Sequence, residues 1–274
     1  MKKILITAAF AAIAVSAFSF DSEKIVPKGK VNSYSKTDYS VTSKFGEYFR
    51  TPDAKYVHVF DQTGLEIESS EYSPKDVLID KITYGYDVSR NLISETCSDG
   101  NGNLLWKSEY SYQTDGKLKD VSTYDAGGVL TGKKIYKNTA NEEAESVYNA
   151  EGALVSKTIT KTDERGRSVT VNKYFADGSL ESSKNCTYND AGALAQTENI
   201  GADGKIVSRT LVVYDDKAFV KEIQEYDGEG NVTQRAIYKN EVSGNPIKVT
   251  TYSVSEKFGG TVNELIDIVE YVYK

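Results

Sequence analysis

Tyr124-Asp125-Ala126-Gly127-Gly128-Val129-Leu130 decides the fold, because the chain keeps returning to it. Clear copies are Tyr148-Asn149-Ala150-Glu151-Gly152-Ala153-Leu154, Tyr174-Phe175-Ala176-Asp177-Gly178-Ser179-Leu180 and Tyr188-Asn189-Asp190-Ala191-Gly192-Ala193-Leu194. Tyr226-Asp227-Gly228-Glu229-Gly230-Asn231-Val232 is another, and weaker ones start at Phe60, Tyr86, Tyr112, Tyr136, Tyr214, Tyr238 and Tyr252. From Tyr112 the Tyr positions advance by 12, 12, 12, 26, 14, 26, 12, 12 and 14 residues. Each step of 26 contains a degenerate copy, at Thr162-Asp163-Glu164-Arg165-Gly166 and Ile200-Gly201-Ala202-Asp203-Gly204. A fixed short period of this kind is the mark of a repeat architecture.

One unit of 12 to 14 residues holds a turn and a strand. Asp or Asn opens the turn with its side chain, and Gly closes it in the left-handed region. The rest is rich in Val, Thr, Tyr, Ser and Lys and suits one strand. Turns at this interval predict consecutive hairpins. The expected fold is all-β: an antiparallel meander of about 14–16 short strands between Tyr56 and Tyr273, in a long curled or twisted sheet ~70 Å across if open. The Tyr ending one strand should face the Leu opening the next, across the turn. Residues six apart, such as Leu130 and Tyr136, or Leu118 and Tyr124, should share a face. The expected sheet has apolar margins and a polar waist, at Asp120, Ser122, Ser182, Lys184, Gln196 and Glu198. Whether it closes, folds over or stays open is not set by this pattern.

The first residues differ from the rest. Lys2 and Lys3 precede an apolar run from Ile4 to Phe18, with small residues at Ser16, Ala17 and Ser19. This predicts a secretory signal peptide over residues 1–19, cut after Ala17 or Ser19. The run is shorter than a membrane span needs. Residues 20–55 lack a clear repeat and are expected to cap the repeat domain, 56–274. Export places the chain in the periplasm, at the cell surface or outside the cell. Removing Lys2 and Lys3 moves the formal charge from −7 to −9. A chain this acidic, with scattered basic residues, is expected to bind nucleic acid poorly, and no nucleic-acid partner is expected.

Tyr-Asp-x-x-Gly-x-Leu resembles the YD repeat of RHS and related bacterial surface or secreted proteins. Tyr124-Asp125 to Leu130 and Tyr226-Asp227 to Val232 carry the resemblance best. Tyr86-Asp87 to Leu92 has Arg90 in place of Gly. The resemblance covers roughly residues 60–252 and implies a secreted β scaffold. In long arrays of that family the sheet winds into a hollow shell. The units here are shorter, and the motif is structural, so it implies no catalytic residue.

Twenty Tyr stand beside one Trp, one His, one Met and two Cys. A multi-His metal site and a disulfide scaffold lack the residues to build them. His58, alone in an alternating strand, reads as structural. Cys97 and Cys186 lie about seven strands apart, ~33 Å, too far for a disulfide. Asp99-Gly100-Asn101-Gly102-Asn103 and Asp227-Gly228-Glu229-Gly230-Asn231 alternate oxygens as a calcium loop does, but Leu104 and Tyr110 replace the Gly and Glu of the full pattern. Both fall where the repeat demands a turn. Carboxylates are plentiful, yet no spacing singles out an acid pair. No catalytic residue, cofactor or metal is therefore expected, and the chain is not expected to be an enzyme. Trp106, Tyr110 and Tyr112, on one face with Leu104 and Ser108, form the candidate ligand patch.

The leading expectation is a secreted, non-enzymatic structural or adhesive scaffold at the cell envelope. The alternative is a module binding a cell-surface glycan, peptide or protein on its aromatic face. A third reading is an outer-membrane β-barrel, which needs an apolar lipid face. Self-association through sheet ends is expected if the sheet stays open. Thiol titration of denatured protein should find two free thiols; finding none in the monomer would contradict the simple meander.

Overall fold

The computed structural model describes residues 25–257 and 259–274. The leader expected at 1–19, and its cut, lie outside the described residues. The strands are β1 (Ser33–Lys44), β2 (Glu47–Phe60), β3 (Glu66–Tyr72), β4 (Leu78–Tyr86), β5 (Leu92–Asp99), β6 (Leu104–Tyr112), β7 (Leu118–Asp125), β8 (Leu130–Asn138) and β9 (Glu142–Asn149). They continue with β10 (Leu154–Thr162), β11 (Ser168–Phe175), β12 (Leu180–Tyr188), β13 (Leu194–Gly201), β14 (Ile206–Tyr214), β15 (Val220–Asp227), β16 (Val232–Asn240), β17 (Pro246–Lys257) and β18 (Gly260–Tyr273). Each pairs antiparallel with its sequence neighbours, and β1 pairs with β18 from Tyr34↔Tyr273 to Ser40↔Asp267. The meander is thus a closed ring of 18 strands. It exceeds the expected strand number because residues 33–55, expected as a cap, supply β1 and most of β2 to the wall. At about 4.8 Å per strand the ring is about 86 Å around. Closure also gives every strand a neighbour on each side around the ring, so the two open sheet ends through which copies were expected to associate do not exist in it.

Every turn from β2 to β17 except β8–β9 has the same build. In the β7–β8 turn, Gly128 N–H donates to Asp125 O and Asp125 N–H donates to Val129 O. The Asp125 carboxylate also accepts the N–H groups of Gly127 and Val129. The fourth turn residue lies at positive φ: Gly128 at 77°, Gly152 at 78° and Gly230 at 89°. Asp76, Arg90 and Ala218 hold this place without being glycine. Both segments with alternating oxygens are turns of this kind: Asp99 accepts from Asn101 and Asn103, and Asp227 from Glu229 and Asn231.

The expected cross-turn pairs form. Tyr86 faces Leu92, Tyr112 faces Leu118, Tyr124 faces Leu130 and Tyr188 faces Leu194. One residue further on, the register slips. Tyr124 faces Leu130 but Thr123 faces Gly132, leaving Thr131 as an extra residue. The slip recurs at turn after turn, and each is a β-bulge that bends the strand and increases its twist. A bulge also exchanges the two faces. Leu130 and Tyr136 therefore lie on opposite faces, as do Leu118 and Tyr124, which corrects the expectation from spacing alone. Twisting added at each hairpin is what curls the sheet until β18 meets β1.

Buried residues mark the concave face: Tyr34, Lys36, His58, Cys97, Val121, Val212, Ala236 and Val249 share it by register. Among the described residues, twelve apolar and eleven polar or charged ones are buried, so the inside of the ring is mixed and not oily. The expected waist splits accordingly. Asp120, Ser122, Gln196 and Glu198 point outward, while Ser182 and Lys184 point inward. Ala218→Gly should raise stability by about 0.5–1 kcal/mol, because it removes a left-handed side chain without losing a contact. Gly244→Ala should lower it, since its Cβ would stand 2.3 Å from Phe219 and φ is +87°. Urea midpoints check both.

Candidate functional site on the inner wall

The rim where β1 begins and β18 ends is here the terminal rim. There the Tyr–Leu pairs point inward, and the Tyr hydroxyl has a fixed task. Tyr86, Tyr112, Tyr188 and Tyr214 donate to the backbone carbonyls of Glu66, Leu92, Ser168 and Leu194, each 20 residues earlier. Asn240 serves Val220 O in the same way. Each bond ties the end of one strand to the start of its neighbour. At the far rim the pairs Tyr124–Leu130, Tyr148–Leu154 and Tyr226–Val232 point outward.

The candidate patch falls on the inner wall. Trp106, Ser108, Tyr110 and Tyr112 share the face of Cys97 and Val121. Leu104 does not: the bulge at Leu105 puts it opposite, 38% exposed. The structure brings this patch beside residues that spacing did not gather. Tyr110 hydrogen-bonds the Glu95 carboxylate, and Glu95 pairs with Tyr84 across the strand. Tyr136 donates to Glu145 Oε2 at 2.7 Å, and Lys134 Nζ stands 3.0 Å from the same oxygen. Ser108 and Thr123 share a hydroxyl bond of 3.0 Å. Burial raises the phenols of Tyr84, Tyr110 and Tyr136, reinforced by Glu66 and then Glu95 at Tyr84, by Glu95 at Tyr110 and by Glu145 at Tyr136. Burial raises Glu143 too, with Glu145 adding to it. The wall between β4 and β9 is a band of phenols and carboxylates whose hydroxyls are already engaged.

His58 has a partner after all. Its Nδ1 lies 2.6 Å from Glu66 Oε1, both side chains are buried, and its ring stacks on Tyr34 at 4.4 Å and 20°. The turn at Asp61 folds Glu66 back beside it. The sequence held a signal: Phe60 faces Glu66 where other turns place Tyr opposite Leu. Tyr34 Oη in turn accepts the N–H of Ile25 at 3.1 Å. An apolar arc of Val212, Ile223, Ala236, Val249 and Val269 continues from Tyr34 around β14–β18.

The thiols are unpaired: Cys97 is buried and Cys186 partly so. Burial, then Asp80, pushes the Cys97 thiol up to about 12, the opposite of what a nucleophile needs. Among the described residues, no group of three or more His, Cys, Asp or Glu stands together to hold a metal.

No family model matches the chain, and no curated protein does. Among solved structures, it is similar to a porin-like protein from Bacteroides uniformis at 10% identity and TM-score 0.49, covering 90% of this chain and 99% of that one. It is also similar to TcdB2-TccC3-TEV at 11% identity and TM-score 0.28, covering 82% of this chain and 16% of that one. A third is a protein of unknown function from Bacteroides fragilis, at 12% identity and TM-score 0.21, covering 64% and 94%. None reaches a TM-score of 0.5, and likenesses of this grade carry nothing about activity.

Two outcomes follow from the wall chemistry. Burial raises Tyr86 and Tyr238 to about 12 from an ordinary 10.0. The folded state thus favours the neutral phenol. Its stabilisation is complete below pH 10 and is lost as pH rises towards about 12. Tyrosinate absorbance should lag that of free tyrosine, with unfolding inside that window by circular dichroism. Separately, Glu66→Leu should cost about 1–3 kcal/mol by stranding His58, and adding His58→Val should recover much of it; chemical denaturation measures both.

Proposed function

We propose that the protein is an exported, non-enzymatic barrel scaffold that works in water at the bacterial cell envelope, a short relative in design of YD-repeat shells. One observation carries this reading: the outward waist is charged. Lys133 and Asp120 stand 3.3 Å apart, Arg209 and Glu198 3.1 Å, and Arg235 and Glu222 2.6 Å, all outward-facing by register. Lys107 and Glu109 join them on the same side. A lipid-facing Arg or Lys near the bilayer midplane costs about 2–4 kcal/mol. Several in one belt would consume the stability of an ordinary domain. In water such exposed ion pairs are worth a net of about 0–1 kcal/mol.

Ring closure favours a self-contained barrel over a sheet that recruits partners by its edges. It also favours the second reading, an outer-membrane barrel, since a closed ring is how strands satisfy their backbone in lipid. Glycan or peptide binding through Trp106, Tyr110 and Tyr112 would have to take place inside the ring; a glycan array with Trp106→Ala tests it. Fractionation of cells making the full chain separates the first two readings. The expected result is release of folded protein into aqueous extract without detergent. Recovery only in detergent would overturn the water-facing scaffold in favour of the outer-membrane barrel.

A further inference from the structure

The seam of the ring is built differently from the rest. β1 and β17 have 12 residues and β2 and β18 have 14, while β3 to β16 have seven to nine. The β1–β18 pairing ends at Ser40↔Asp267, and the β2–β3 pairing ends at Lys55↔Tyr72. The β1–β2 pairing continues to Lys44↔Glu47. Among the described residues, the hairpin from Val41 to Arg50 therefore extends past the far-rim pairings with no strand paired to either outer edge.

Its tip breaks two rules at once. The two-residue loop Phe45-Gly46 has φ of 54° and 81°, the type I′ geometry that favours Asn-Gly. A bulky aromatic at positive φ is an outlier. Phe45 is also fully exposed, and Tyr48 and Phe49 are each 50% exposed. By register Tyr48 lies on one face with Ser43, and Phe49 on the other with Thr42. The tip is aromatic at its end and on both sides. The root is braced, because Arg50 Nη1 meets Glu270 Oε1 at 2.5 Å and its guanidinium lies 4.6 Å over the Tyr39 ring.

We propose that this hairpin is a membrane-contact finger whose aromatic tip enters the interfacial layer of a phospholipid bilayer. A flat protein patch would cover one face of the finger and leave the other aromatic in water. A bilayer surrounds it, and its interface is where aromatic rings settle. The contact is apolar and not electrostatic: Glu47 faces Lys44, Glu270 engages Arg50, and the whole chain is acidic. Three rings make a weak, reversible contact. It needs no lipid-facing barrel wall.

Flotation of detergent-free protein with phosphatidylcholine vesicles at millimolar lipid tests it. The expected result is partial co-flotation that persists in high salt, reduced roughly tenfold in partition by Phe45→Asn and by Phe49→Ser. Phe45→Asn should at the same time melt no lower than the parent, since it suits the turn. Absence of co-flotation by the parent would overturn the proposal and leave the tip to a protein partner. Equal co-flotation of parent and variants would also overturn it, and would point to the barrel wall, the failure that detergent-dependent recovery detects independently.

Discussion

Every turn from β2 to β17 except β8–β9 ends on a residue at positive φ, and the strand that follows gives up one residue to a bulge. The rest of the architecture depends on that pairing of turn and bulge. The left-handed residue lets the chain reverse within four residues. The bulge then adds twist and exchanges the faces, so each strand presents one set of side chains at its start and the other beyond. Repeated around the meander, the extra twist curls a sheet too long to lie flat and brings Tyr273 beside Tyr34.

The face exchange also explains why one repeat motif produces two kinds of rim. Turns at the terminal rim direct their Tyr–Leu pairs inward, where the Tyr hydroxyl ties the neighbouring strand by its carbonyl, as Tyr112 does to Leu92. Turns at the far rim direct the same pairs outward. The tyrosines of the terminal rim are thus fasteners, and burial raises the phenols of Tyr86, Tyr112, Tyr188 and Tyr214. A ring fastened by hydroxyl-to-carbonyl bonds does not need the oily interior of a sandwich. Its inside can hold the buried His58–Glu66 pair and the phenol–carboxylate band from Tyr84 to Glu145.

Turn chemistry was plainly legible in the sequence: Asp or Asn first, Gly fourth, and Tyr facing Leu across the gap. That was enough for strand spacing, antiparallel order and the separation of Cys97 from Cys186. Facing was not legible, because counting by twos from Leu130 to Tyr136 passes through a bulge that no residue type announces. Thr131, Leu105 and Ile67 occupy bulges and have little in common. Closure was not legible either, since it arises from the sum of many small twists. The His58–Glu66 pair was half visible, as a Glu in a place the repeat gives to Leu. The Trp106 patch was placed correctly on one strand face, except for Leu104, but nothing in its spacing revealed that this face is concave.

The central claim is that the ring closes through β1 and β18. Ser35 and Val272 are opposed across that seam and both point outward. In a background with Cys97 and Cys186 replaced by serine, spin labels at those two positions give the distance directly. Closure predicts a narrow distribution below about 20 Å, set by one strand spacing plus two label arms. A distribution centred beyond about 40 Å, as an open sheet of this many strands would give, would contradict it.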